Sequence, residues 1–321
     1  MKKEIQFQQV VDVGCGLDVH KETIVATIRS SSKDYETKEF SSFTSSLTEL
    51  RDWCKQKGVT HIAMESTGIY WKPVFNVIED EAFEIILVNA RHVKNIPGHK
   101  TDKKDSAWLS KLLLSGLLKG SFIPPVDIRE LRDLVRYKRK KTQVVAAEKN
   151  RMIKILEDCN VKLSSVVSDV QGVSATKMVN AITEGETDVA ILAQFAHGRI
   201  EADKETIKKA LEGKVTAHHR FMLQMSRESI EVNEALITKL DTQIEKASAQ
   251  YKIDLDLLQT IDGIGKDSAI AIISEIGADM KQFPNEHHLA SWSGLSPGNN
   301  ESGGKKKAQE LFTETNIYNQ P

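Results

Sequence analysis

The sequence predicts an α/β N-terminal domain, then a long-helix region, then a helical C-terminal domain. Three observations carry this. Apolar β-branched runs alternate with helical patterns as far as residue 118. Proline is absent between Pro125 and Pro284, where Glu, Lys, Ala and Leu abound. Beyond that, "LDLLQTIDGIGKDSAIAIISEIG" reads as helix, glycine turn, helix. The expected segments are 1–125, 126–250 and 251–321.

Each element has its own signal. "VVDVGCGLDV" and "ETIVATIRS" are β-rich, and a polar turn, "SSKD", leads into "YETKEF". Together they form a three-strand meander. "SSLTELRDWCKQKG" is a helix, with Ser46 and Glu49 spaced for a capping box and Gly58 placed to end it. "THIAME" is a buried strand, "WKPVFNVIEDE" a helix and "FEIILVN" a strand. A helix over 102–118 closes the order β-β-β-α-β-α-β-α. Residues 128–164 and 217–249 read as long helices. Ile128, Leu131, Val135, Val145, Met152 and Ile155 mark the first, and Met225, Val232, Leu236, Leu240 and Ile244 the second. Such spacing predicts coiled-coil-like pairing, as an antiparallel hairpin or an oligomer contact.

Composition excludes several classes. A chain of 321 residues that is 40% hydrophobic and 28% charged can bury ordinary cores in more than one domain. Its net charge of −1 means that any polyanionic partner must be held by local patches. Cys15, Cys54 and Cys159 form no metal-binding or disulfide pattern. There is no signal core or apolar run long enough for a bilayer, so a cytoplasmic protein without a membrane partner is expected. "GCGLDV" lacks the third glycine of a dinucleotide fingerprint, because Val19 stands there and a strand follows.

Candidate chemistry lies with the acids. Asp18 ends the first strand and Glu65 ends "HIAME"; Asp102 and Asp105 open a helix, where acids also suit the macrodipole. Residues three apart share a helix face, and strand-end acids can meet at one sheet edge. Four gathered carboxylates call for a hard cation, Mg²⁺ or Mn²⁺. Two such ions would suit phosphoryl transfer.

Basic segments flank these acids. "RHVKNIPGHKTDKK" includes Lys100, Lys103 and Lys104. "RELRDLVRYKRKK" sets seven cations, among them Arg136, Lys138, Arg139, Lys140 and Lys141, against two acids. Such a stretch is either a solvated helix face or a phosphate-backbone contact without sequence choice. Gly263 and Gly265 permit a tight helix-hairpin-helix turn that offers backbone N–H groups to phosphate, with Lys266 adding charge. In "NNESGGKKK", Ser302 precedes Lys305 and Lys306. It is an ordinary loop serine, or a nucleophile whose product these lysines would balance.

The ordered set "GLDVHK", "AMESTGIYW", "HKTDKKDSAWLSKLL", "IDGIGKDSA" and "LASWSGLSPGNNESGGK" resembles the DEDD transposases of bacterial insertion sequences, a group that includes pilin-gene invertases. The resemblance spans residues 10–308. It implies an RNase H-like, Holliday-junction-resolvase-type first domain, with Asp18, Glu65, Asp102 and Asp105 holding Mg²⁺. It also implies Ser302 as a nucleophile forming a phosphoserine link to DNA. The implied partners are donor and target DNA, a structured bridge RNA and further copies of the chain, as a dimer or tetramer. Acids and serine lie far apart in sequence, implying a composite site. The resemblance further implies a helical segment after the serine motif. Only 19 residues follow Ser302, and "ELFTETNIYNQP" does not resemble that segment. The expectation is therefore a copy shortened near Lys307. A metal nuclease using the acids alone, or an inactive nucleic-acid-binding remnant, are the other readings.

Overall fold

The computed structural model describes residues 9–66, 68–80, 82–89, 93, 105–170, 172–197, 200–295, 301–302 and 305–306. These fall into two compact units. One comprises the described parts of 1–123 and 280–321, and the other comprises those of 124–279.

The first unit is built on a mixed sheet in the order β3-β2-β1-β4-β5. Its strands are β1 (Gly14–Val19), β2 (Thr23–Arg29), β3 (Tyr35–Ser41), β4 (His61–Glu65) and β5 (Glu84–Val88). The first three form an antiparallel meander, while β1–β4 and β4–β5 are parallel. Alternation along the strands sorts the faces. Cys15, Leu17, Ile24, Ala26, Ile28, Ile62 and Met64 point into the main core. They pack there against α1 (Thr44–Gln56) and α2 (Trp71–Ile78). The opposite face carries α3 (Asp105–Leu114), with Leu109 and Leu112 packed against Val88 and Val93. The α/β reading of this region holds, strand by strand.

The capping-box expectation does not hold. Helix α1 starts at Thr44 behind Phe43, with no side-chain cap. Ser46 lies inside the first turn, where its hydroxyl accepts from the Ser41 N–H at 3.0 Å and ties the helix to the end of β3. The C-terminal signal does hold. Gly58 has φ +67°, and the Val59 and Gly58 amides donate to Cys54 and Lys55 carbonyls, which makes a Schellman stop.

The second unit is helical. Its long members are α4 (Val126–Asp158), and, after α5 (Val173–Glu184), α6 (Val189–Leu192) and α7 (Lys204–Leu211), the helix α8 (Ala217–Ser248). Ion pairs Asp158–His219, Lys149–Glu234 and Lys138–Asp241 link α4 and α8 in reversed order, so the two are antiparallel partners within one chain. Helix α4 ends six residues before the expected limit of 164. Asn160 takes φ +60°, and the Val161 amide closes on the Leu156 carbonyl at 2.8 Å. Asparagine here does what glycine does at Gly58. Helices α9 (Lys252–Gln259) and α10 (Lys266–Ile276) follow, joined by the glycine turn.

In the first unit, α11 (Glu286–Trp292) is tied in by aromatic edges. Phe283 stands 5.7 Å from Phe122 and 5.6 Å from Trp292. Backbone pairing joins Glu301–Ser302 (β6) to Lys305–Lys306 (β7). No described helix is long and apolar enough to cross a membrane.

Candidate active site

The second face of the sheet carries two of the acids, and the helix upon it begins with a third. Gly14, Gly16 and Asp18 alternate onto it from β1, and Ala63 and Glu65 from β4. Helix α3 lies directly on the two glycines. A Cβ at Gly16 would stand 2.2 Å from the Ser106 carbonyl oxygen and 2.5 Å from the Ser110 nitrogen. One at Gly14 would stand 2.8 Å from Leu113. Two strand residues advance about 6.6 Å, or roughly four to five helix residues. The contact therefore runs from Leu113 at Gly14, through Ser106–Ser110 at Gly16, towards the helix N-terminus at Asp18. Helix α3 is antiparallel to β1, and Asp105 opens it at the end of the sheet where Asp18 stands.

Glu65 reaches the same edge. It lies one residue beyond the Leu17↔Met64 pair, as Asp18 does on β1. Glu65 and Asp105 are half-buried, and one Asp105 carboxylate oxygen is sealed from solvent. The Asp18 carboxylate meets the His20 imidazole at 3.2 Å. Nothing in the sequence marks His20 beyond its place two residues past a strand-end acid. Carboxylate oxygens are the ligand type that a hard divalent ion takes. Among the described residues, however, no three His, Cys, Asp or Glu side chains close into a metal-holding group. Asp102, Lys100, Lys103 and Lys104 lie outside the described residues. Ser302 stands on β6, paired in backbone with Lys305; its side chain and those of Lys305 and Lys306 also lie outside them.

The basic residues of α4 divide by use. Arg136 makes a two-pronged bond to the Glu275 carboxylate, 2.8 Å on each arm. Arg132, buried beside it, donates to the Ser274 and Glu275 carbonyls at 3.0 and 2.6 Å and so caps the end of α10. Lys138 pairs with Asp241 at 2.6 Å and Asp267 at 3.3 Å. Partial burial opposes its charge, but the two carboxylates outweigh this and hold the ammonium above the usual lysine range. Lys141 lies over the Tyr137 ring. Arg139 and Lys140 face solvent.

At the glycine turn, Lys266 reaches Glu245 at 2.6 Å. Gly263 has φ +88°, which makes glycine the fitting residue there. Gly265 is extended, and neither glycine would crowd a Cβ, so the approach to the α10 N-terminus is open.

Residues 15–161 match the DEDD transposase family model, described as "Transposase". Residues 255–315 match "Transposase IS116/IS110/IS902 family". A "Probable family 20 transposase" of Pseudomonas aeruginosa PAO1 is 21% identical over 272 residues, covering 84% of this chain and 71% of the relative. The two family matches take in the sheet with its acids and the glycine turn with its serine strand. The chain belongs to the IS116/IS110/IS902 family of DEDD transposases, and it is a DNA transposase.

Proposed function

We propose that this transposase cleaves and rejoins DNA through a carboxylate site on the first unit, Asp18, Glu65, Asp102 and Asp105, together with Ser302 as nucleophile. The observation that carries the reading is the shared face and shared edge of Asp18 and Glu65, with α3 antiparallel above them so that Asp105 opens at that edge. The 3-2-1-4-5 mixed sheet supports an RNase H-like assignment of the resolvase type. The four acids would hold Mg²⁺ or Mn²⁺, with Asp102 completing the three described carboxylates. Bound there, the ion would supply charge neutralisation at a phosphodiester.

Ser302 Oγ would attack phosphorus, forming a serine–phosphate ester as the P–O bond to the departing strand breaks. That strand's oxygen takes up the proton released by the serine. The energy of the phosphodiester is held in the ester until a second strand end attacks and frees the serine. Lys305 and Lys306 would balance the ester's charge, and Lys100, Lys103 and Lys104 would draw DNA to the acidic edge. Backbone contacts of this kind carry no sequence choice, which fits delegation of target choice to a base-paired guide RNA. Arg139, Lys140 and Lys141, with the open turn at Gly263 and Gly265, are the proposed nucleic-acid contacts on the helical unit. Arg136, Lys138 and Lys266 would contribute there only in exchange for their acid partners. The segments 1–125, 126–250 and 251–321, self-association and a cytoplasmic setting belong to the same proposal.

The test is recombination between donor and target plasmids with the element's flanking RNA supplied. Product from the wild-type chain, lost in Ser302→Ala and in Asp18→Asn, is expected. DNA cutting that survives Ser302→Ala would replace this reading with that of a water-using nuclease.

A further inference from the structure

Beneath α3 lies a layer of buried hydroxyls that the proposed chemistry does not use. Thr27, Ser106 and Ser110 are at most 2% exposed. Thr27 sits opposite Gly16 in one ladder and opposite Thr37 in the next. Its Oγ1 bonds to Thr37 Oγ1 at 2.9 Å and to Ser106 Oγ at 2.8 Å. One turn along the helix, Arg29 Nε donates to Ser110 Oγ at 3.2 Å. The guanidinium is held in turn by the Ser31 and Ser32 carbonyls and by the Tyr35 ring, 4.5 Å away.

The glycines make this layer matter. Gly14 and Gly16 give α3 a smooth bed, with no side chain to lock its position along β1. Apolar contact is non-directional, so leucines alone do not choose a register. A slip of one helix residue moves the helix by about 1.5 Å. Mg²⁺ ligands sit at about 2.0–2.1 Å in near-octahedral geometry and do not tolerate that error. The hydroxyl pair is directional, and Ser106 is the residue next to Asp105.

We propose that Thr27 is a positioning residue for Asp105, acting through Ser106 to set the register of α3 on the sheet, with Arg29–Ser110 as a second pin. This rests on the reading of Asp105 as a metal ligand.

The test titrates Mn²⁺ alone into the full chain, followed by electron paramagnetic resonance of the free ion, with urea unfolding on the same samples. Thr27→Val and Ser106→Ala should each weaken Mn²⁺ binding about tenfold. The double variant should be no worse than either single, and Thr27→Ser should bind like wild type. Asp105→Asn supplies the loss for a missing ligand. Lower stability in Thr27→Val with unchanged Mn²⁺ affinity would reduce the hydroxyl to a structural role and overturn the proposal. Should Thr27→Val not fold, Ser106→Ala decides by the same criterion. If wild type and Asp105→Asn take up Mn²⁺ equally, or not at all, the metal reading fails, and the positioning role falls with it.

Discussion

Each unit of this protein buries an arginine, and the two are used differently. Arg29, 7% exposed, sits between sheet and helix and bonds to a serine hydroxyl and loop carbonyls under the helix that carries Asp105. Arg132, 5% exposed, bonds to the last carbonyls of α10 and, with Arg136, fastens α4 to it. In the sheet unit, buried polarity lies between β2 and the helix that begins at Asp105, where we propose that it sets that carboxylate's position. In the helical unit it is glue between helices. Mutations in the two places should therefore separate: the first should alter metal binding and cutting, the second stability alone.

The largest expected effect tests the sheet unit. Gly16→Ala places a methyl group against helix backbone, which cannot give way as a flexible side chain would. A loss of about 3 kcal/mol in urea unfolding is expected, together with loss of DNA cleavage by whatever remains folded. Next, Arg132→Ala strands two helix-end carbonyls and should cost about 2 kcal/mol. Per folded molecule, its Mn²⁺ affinity and cleavage should match wild type. A comparable loss of metal binding in Arg132→Ala would break the contrast between the units.

The smallest effect concerns pH. Lys138 has its folded-state pKa raised by Asp241 and Asp267. Its contribution to stability is therefore fully present below the ordinary lysine pKa and lost as pH rises through the raised folded value. Lys138→Met should cost under about 1 kcal/mol at neutral pH. It should also flatten the fall in stability above the usual lysine range, as followed by helical circular dichroism in alkaline urea titrations.

These contrasts also mark what the sequence disclosed. Asp18 and Glu65 were legible as strand-end acids, but that they share a face and an end rests on the parallel β1–β4 register, which the sequence does not fix. The helix stop was legible at Gly58, whereas periodicity carried the reading of α4 past the asparagine stop at Asn160. Apparent capping at Ser46 misled because the hydroxyl found the end of β3 first. The polar layer was not legible, since Thr27 and Ser106 are separated by 79 positions and neither is unusual alone. Nor was the fate of Arg136, whose acid partner lies 139 positions away. A run of cations looks like a phosphate surface until the acids that fold back onto it are known.

The most direct test of the central claim uses a nicked DNA substrate that traps the protein after the first cleavage, with Mg²⁺ and the guide RNA present. Denaturing electrophoresis and peptide mass spectrometry would then locate any covalent link. The prediction is a DNA-linked peptide containing phosphorylated Ser302, absent in both Ser302→Ala and Asp105→Asn. Cleavage without an adduct, or an adduct that persists in Asp105→Asn, would contradict it.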